Sequence, residues 1–426
     1  AFREALAIVE PLAAANADPR FRIGVAKIRN NLGDLLRQLG RHDEAESELN
    51  RSVQIREGLV AESPERLNYR HDLAKSWLNL GAARADRRMP ADAEKAFRNA
   101  IAALDSKPEA ETNDRESWSA ERWLTLSRAH NNLGMLQRAA GRNAEAEASF
   151  KSALDVKEKL ADAFPSMPQH RRELANAVNS LGVLQGDVGR GRDAEASFER
   201  AVRIYERLAA EFPAQASHLV DMAGSCKNLG QQIGDDGRLE ESLVWLTKGI
   251  DALEPVVRRD PAFVKARSSS CLSHWARATS LCGLMRYQEG VRDWSRAIEL
   301  DDGRYRDSLR LKRASANLNL NDRARVAEDA GAVAGSPAAT AEDLLVAAAL
   351  LAQCATIAAA DVRAAEGSAA GALSALRKAK AKGLEGPKQI MEGSAFNSLK
   401  ARPDFQKFIK DWEAEASPPK RGDMPP

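Results

Sequence analysis

Cysteine is scarce in this chain of 426 residues. Its four cysteines, Cys226, Cys271, Cys282 and Cys354, form no CxxC pair and no zinc-ligand spacing. That excludes a disulfide framework and a cysteine zinc site. Small buried thiols in a reducing compartment are expected, which points to the cytoplasm. Aromatic residues make up only 5%, as suits helices packed through alanine and leucine. Charge of one sign is missing too. Lys+Arg is 63 against Asp+Glu 61, for a net charge of +2. That balance argues against a nucleic-acid partner held by electrostatics. Long apolar runs are absent. The longest uncharged stretch of note, Leu344–Ala360, has 17 alanine-rich residues and includes Gln353, Cys354 and Thr356. It is short and weakly hydrophobic for a membrane span, so a buried helix is expected there and no membrane segment within the chain. No N-terminal signal pattern is present.

Catalytic patterns are missing as well. There is no GxxxxGK[ST] loop, and the glycines of GDVGRG (186–191) read as a helix-turn feature and not a phosphate loop. The protein-kinase set of Gly-rich loop, HRD and DFG is absent, and Arg41-His42-Asp43 falls in a turn between helices. None of the six histidines has HExxH spacing. The sequence therefore offers no catalytic residue, no metal site and no cofactor site.

What the chain does have is a returning glycine. NNLG (30–33), LNLG (78–81), NNLG (131–134), NSLG (179–182) and KNLG (227–230) place it 48, 53, 48 and 48 residues apart. Such a period means stacked supersecondary units. Seven residues on, four copies have Gly-Arg: Gly40-Arg41, Gly141-Arg142, Gly189-Arg190 and Gly237-Arg238. Twelve on begins a small-large-small triplet: Ala45/Leu49/Ser52, Ala93/Phe97/Ala100, Ala146/Phe150/Ala153, Ala194/Phe198/Ala201 and Ser242/Leu246/Gly249. Four copies then place proline at 64, 165, 213 and 261. The spacing predicts helix, short turn, helix and a proline-marked break. Apolar residues eight before and one before each glycine share a helical face. A glycine inside a helix is costly unless a neighbouring helix comes close. The Gly-Arg glycine suits a left-handed helix end. No period-two alternation appears, so essentially no strand is expected.

These residues resemble the tetratricopeptide repeat, a helix pair with the same small-large-small pattern on its second helix. The resemblance implies an all-α fold, a right-handed α-α superhelix of antiparallel helix pairs, here with longer helices. Residues 1–15 read as the second helix of a truncated repeat, and the chain as a fragment of a longer protein. Five long repeats follow over 16–262, then two shorter ones over 263–335. LMRYQEGVRDWSRAIEL (284–300) is the stretch that fits the family pattern best. An alanine-rich degenerate repeat covers 336–382, capping helices 383–413 and a disordered tail 414–426. One continuous solenoid is expected instead of separate domains. YRHDLAKSWLNLG (69–81), HRRELANAVNSLG (170–182), the GR-x-x-EAE phrase and KARPDFQKFIKDWE (400–413) resemble the C-terminal repeat regions of planctomycete-type bacterial serine/threonine protein kinases. That resemblance implies a kinase domain upstream, in that family often followed by a membrane helix, with these repeats recruiting substrates or regulators.

The family implies an interaction scaffold, and one ladder of residues names its candidate face. Two residues before the glycines stand Asn31, Asn79, Asn132, Ser180 and Asn228, and six before stand Lys27, Lys75, Arg128, Asn176 and Gly224. An i, i+4 pair shares a face. Lys27, Asn31, Lys75, Asn79, Arg128 and Asn132, with Lys227 and Asn228, form the candidate peptide-binding groove. The amides would grip a peptide backbone and the cations would meet carboxylates. Partners would be protein or peptide segments, acidic ones included, from another protein or the same one. The alternative is that the asparagines bond neighbouring repeats and the cations are solvated. Trp118 and Trp123 could anchor a partner or be buried by an extended first helix.

Overall fold

Each repeat closes on itself through its glycine. In a computed structural model, which describes residues 1–105, 115–357 and 362–416, every described element is helical. The chain divides into two compact units, Ala1–His218 and Leu219–Pro426. The 48-residue period runs unbroken from Gly182 to Gly230, so the pattern carries no signal for this division.

The first unit holds α1 (Phe2–Ala15), α2 (Pro19–Gln38), α3 (His42–Glu62), α4 (Leu67–Asp86), α5 (Pro90–Asp105), α6 (Arg115–Ala139), α7 (Asn143–Ala163), α8 (Pro168–Asp187) and α9 (Gly191–Glu211). The pairs α2/α3, α4/α5, α6/α7 and α8/α9 are the tightest packed, and each repeat also touches the next. The first helices α2, α4 and α6 lie side by side. α10 (Ala216–Asp235) contains the boundary between units. The second unit continues with α11 (Leu239–Arg259), α12 (Val264–Gly283), α13 (Tyr287–Leu300), α14 (Arg306–Asn319), α15 (Arg323–Gly335), α16 (Ala341–Ile357) and α17 (Val362–Ala381). Short helices α18 (Lys388–Glu392), α19 (Asn397–Lys400) and α20 (Pro403–Ala416) end the chain. α20 runs to Ala416, into the stretch expected to be disordered, and 417–426 lie outside the described residues. The repeats after 262 are less uniformly short than the period suggested. α12 keeps 20 residues, and the shortening begins with α13 at 14.

The helix glycines have the cause their recurrence implied. A Cβ on Gly33 would lie 2.5 Å from Leu49 Cγ, and one on Gly81 2.5 Å from the Phe97 ring. Gly134, Gly182 and Gly230 receive Phe150, Phe198 and Leu246 in the same way. The large residue of each triplet thus sits on the bare backbone of its own first helix. The triplets are buried throughout, with Ala45, Leu49 and Ser52 at 0% exposure. The Gly-Arg glycines adopt φ of +72° to +82°. Gly40 N–H donates to Arg37 O, and Arg41 N–H to Leu36 O, closing the helix end. Repeat two has no glycine there, and Arg88 takes φ +59°; Met285 and Asn321 do the same later.

The arginine of Gly-Arg has a role that the spacing did not disclose. Arg142 pairs with Glu94 at 2.5 Å, Arg190 with Glu147 at 2.7 Å and Arg286, after Met285, with Glu240 at 3.5 Å. Each reaches the second helix of the preceding repeat, so the turn that ends one helix also ties two repeats. Individually such exposed pairs contribute little to stability.

The alanine-rich end is a packed core. Leu344, Ala347, Ala348 and Leu351 of α16 are buried against Leu373 and Leu376 of α17. Phe396, Leu399, Phe405, Phe408, Ile409 and Trp412 join the same cluster. No described helix is long and apolar enough to cross a membrane. Cys226, Cys271 and Cys354 are buried and Cys282 half-buried, all as free thiols. Burial, with Asp301 and Asp302 nearby, pushes the Cys271 thiol up to about 11.

Candidate functional site

The candidate ladder lies on first helices, and the structure sorts its members into engaged and open ones. In the first unit Lys27 and Asn31 lie on α2, Lys75 and Asn79 on α4, and Arg128 and Asn132 on α6. Lys75 Nζ is 2.9 Å from a Glu121 carboxylate oxygen. Its charge is met within the face. Asn79 Nδ2 donates to Asn30 Oδ1 at 3.1 Å, from one repeat to the one before. Lys27 and Arg128 are exposed, and among the described residues no hydrogen bond or ion pair holds either. Asn132 is half-buried and likewise unengaged, and Asn31 is exposed. Asn31 Oδ1 accepts only a long bond, 3.5 Å, from Asn30. Farther along, Tyr205 O–H donates to Asn176 Oδ1 at 2.6 Å, and Ser180 donates to Asn176 O. Those two positions are used internally. Lys227 and Asn228 sit on α10 in the second unit, both half-buried. Burial lowers the Lys227 pKa.

Arg128 stands near the Lys157–Glu173 ion pair. Lys157 is buried on α7, and that burial lowers its pKa; Glu173 at 3.4 Å opposes the shift and Arg128 adds to it. Trp123 on α6 is half-buried, and the side chain of Trp118 lies outside the described residues.

Beneath the ladder is a polar network that pattern reading missed. Ser52 Oγ donates to Ala26 O at 2.8 Å and shares a 2.8 Å bond with Ser76 Oγ. Ser76 also receives Arg56 Nη1 at 2.7 Å and reaches Asn30 Oδ1 at 3.3 Å. Arg56 is only 5% exposed, and burial lowers its pKa. Arg56, Lys157 and Tyr205 all stand seven residues after the large residue of their triplet. Each bonds the first helix of the next repeat or its own across the interface. A signal existed in Ser52, which breaks the Ala100, Ala153, Ala201 series.

Among the described residues no group of three His, Cys, Asp or Glu side chains could hold a metal. His71 bonds Thr125 at 3.2 Å between repeats, and His274 bonds the Asp293 carboxylate at 2.8 Å.

Comparison with known proteins follows this geometry. Two tetratricopeptide-repeat family models match the chain, one over residues 25–65 and one over 127–160. Tetratricopeptide repeats are therefore present in this chain. Both matches begin within a first helix that carries the ladder, α2 in one case and α6 in the other. No curated protein matches it. Among solved structures, BtubC from P. vanneervenii is 14% identical, over 61% of this chain and 90% of that one, at TM-score 0.47. The apo form of RapI is 10% identical over 84% and 98%, at 0.48. YrrB, described as a TPR protein with an unusual peptide-binding site, is 14% identical over 58% and 93%, at 0.34. The fold stands on the helices themselves and on the two family matches.

Proposed function

We propose that the chain is a protein-binding scaffold without chemistry of its own, and that the first-helix face of its first unit holds an extended acidic segment. Tetratricopeptide repeats are generally non-catalytic. The observation that carries the reading is a pair of exposed cations, Lys27 and Arg128, at the two ends of the row α2, α4, α6, neither with an acid partner among the described residues. Asn31 and Asn132 follow each cation by one turn, where an amide can take both the N–H and the C=O of a backbone. Asn79 and Lys75 belong to the frame of this face, since Asn30 and Glu121 hold them. Lys227 and Asn228 remain candidate contacts of the second unit.

The test uses the full chain and a fluorescent acidic peptide, with a neutral peptide of equal length as control. The double variant Lys27→Glu, Arg128→Glu should weaken the acidic peptide about tenfold or more, as loss of two charge contacts implies. Unchanged affinity in that variant sinks the reading.

A second reading rests on the phrases at 69–81, 170–182 and 400–413. On it, the scaffold recruits substrates or regulators to a bacterial serine/threonine kinase domain in the same polypeptide. The coding sequence upstream of Ala1 decides it: a Gly-rich loop, HRD and DFG support the reading, and plain repeats or a secretion signal refute it.

A further inference from the structure

A groove of about 610 Å³ lies among α13, α14 and α15 of the second unit. α13 lines it with Gln288, Val291 and Arg292, α14 with Asn317, the turn after α14 with Leu320 and Asp322, and the start of α15 with Arg325. This is a different surface from the first-helix face.

Asn317 sets the groove apart. It is 1% exposed, and neither Nδ2 nor Oδ1 has a hydrogen-bond partner. A buried amide left unpaired costs about 1–3 kcal/mol. The backbone gives the equivalent positions: Asp322 N–H donates to Asn317 O as Arg142 N–H does to Gln137 O and Arg190 N–H to Gln185 O. Both glutamines are satisfied within their own repeat, where Ser149 donates to Gln137 Oε1 and Ser197 to Gln185 Oε1, each at 2.7 Å. Asp329 stands where those serines would be, and Arg313 holds its carboxylate. Beside Asn317, Arg292 is exposed, with no hydrogen bond or ion pair among the described residues. Glu289 on the same helix lies within its field. Arg325 is already paired with Asp322 at 3.3 Å. Val291 and the half-exposed Leu320 add an apolar strip.

We propose that this groove is a second peptide-binding site, which takes an extended segment bearing an acidic side chain. Asn317 donates to a backbone C=O of the segment and accepts from a backbone N–H. The terminal torsion of an asparagine is soft, so the amide can turn into the groove when it fills. Arg292 meets the carboxylate, and Val291 and Leu320 contact a neighbouring apolar side chain. The retained amide is the reason to prefer a ligand over a packing fault. A leucine at this site would be more stable and would bind nothing polar.

The experiment uses the full chain in the Lys27→Glu, Arg128→Glu background, so that the first-helix face does not contribute. The probe is Ac-Leu-Asp-Leu-NH2, with Ac-Leu-Ala-Leu-NH2 as control. Asparagine-selective ¹⁵N labelling follows the Asn317 side-chain amide, assigned by its loss in Asn317→Leu. The expected result is a saturable shift of that resonance below about 10 mM probe, with the alanine control weaker by about fivefold or more. Arg292→Glu should weaken the aspartate probe about tenfold. Asn317→Leu should raise the thermal midpoint and abolish probe binding. A resonance that does not move, or binding that survives Asn317→Leu undiminished, overturns the proposal.

Discussion

Replacing Gly81 by alanine pits two effects of known size against each other. Alanine is the better helix former by about 0.5–1 kcal/mol. Against that, the new Cβ would stand 2.5, 2.7 and 3.1 Å from three atoms of the Phe97 ring. Phe97 is 2% exposed and has nowhere to move without opening α5 from α4. Overpacking of this kind costs about 1–3 kcal/mol. The difference runs from near zero to a net loss of about 2.5 kcal/mol, and the 2.5 Å approach puts Gly81 toward the upper end. Two comparisons isolate the cause. Gly134 meets its ring atoms at 3.0 Å or more, so Gly134→Ala should fall near neutral. Gly58, inside α3, has nothing within 4 Å, so Gly58→Ala should stabilise by about 0.5–1 kcal/mol. The assay is native-state hydrogen exchange of the affected helices, because repeats open locally and a single unfolding free energy would blur them. If Gly81→Ala protects α4 as much as Gly58→Ala protects α3, the close-approach explanation of the repeat is wrong.

Two further outcomes follow from particular residues. Met285 is 75% exposed and holds φ +59°, so Met285→Gly should stabilise the α12–α13 turn by about 1 kcal/mol, while Gly141→Ala should cost a similar amount; thermal unfolding of both variants checks the signs. Asp293 is buried, which alone would raise its carboxyl, but hydrogen bonds from Arg277 and His274 outweigh burial and hold it below the usual carboxylate range. Its stabilisation is therefore complete above the unfolded value of about 4 and lost as pH falls through the lower folded value. Asp293→Asn should cost about 1.5–3 kcal/mol at neutral pH and flatten that acid limb in exchange-detected stability of α12 and α13. An acid limb as steep as in the parent protein would remove Asp293 as its source.

The candidate face was legible in the sequence only as a list of positions. The i, i+4 spacing correctly placed Lys27 with Asn31 and Arg128 with Asn132 on first helices, because helical periodicity is local. It could not show that Glu121 neutralises Lys75 or that Asn30 takes the amide of Asn79. Those partners lie 46 and 49 residues away, and only the stacking of one repeat on the next brings them within reach. The same holds for Arg56, which is almost wholly buried and bonded to Ser76 of the next repeat.

What the amino-acid order determined alone was the unit: helix, left-handed turn, helix, and the face each helix buries. Glycine, the small-large-small triplet and the turn glycine each act within one repeat, where chain connectivity already sets the geometry. Tertiary structure decided which charges are satisfied, which repeats the turn arginines tie together, and where an amide is left without a partner. Those outcomes depend on the distance between side chains in different repeats, and a period in sequence does not contain that distance.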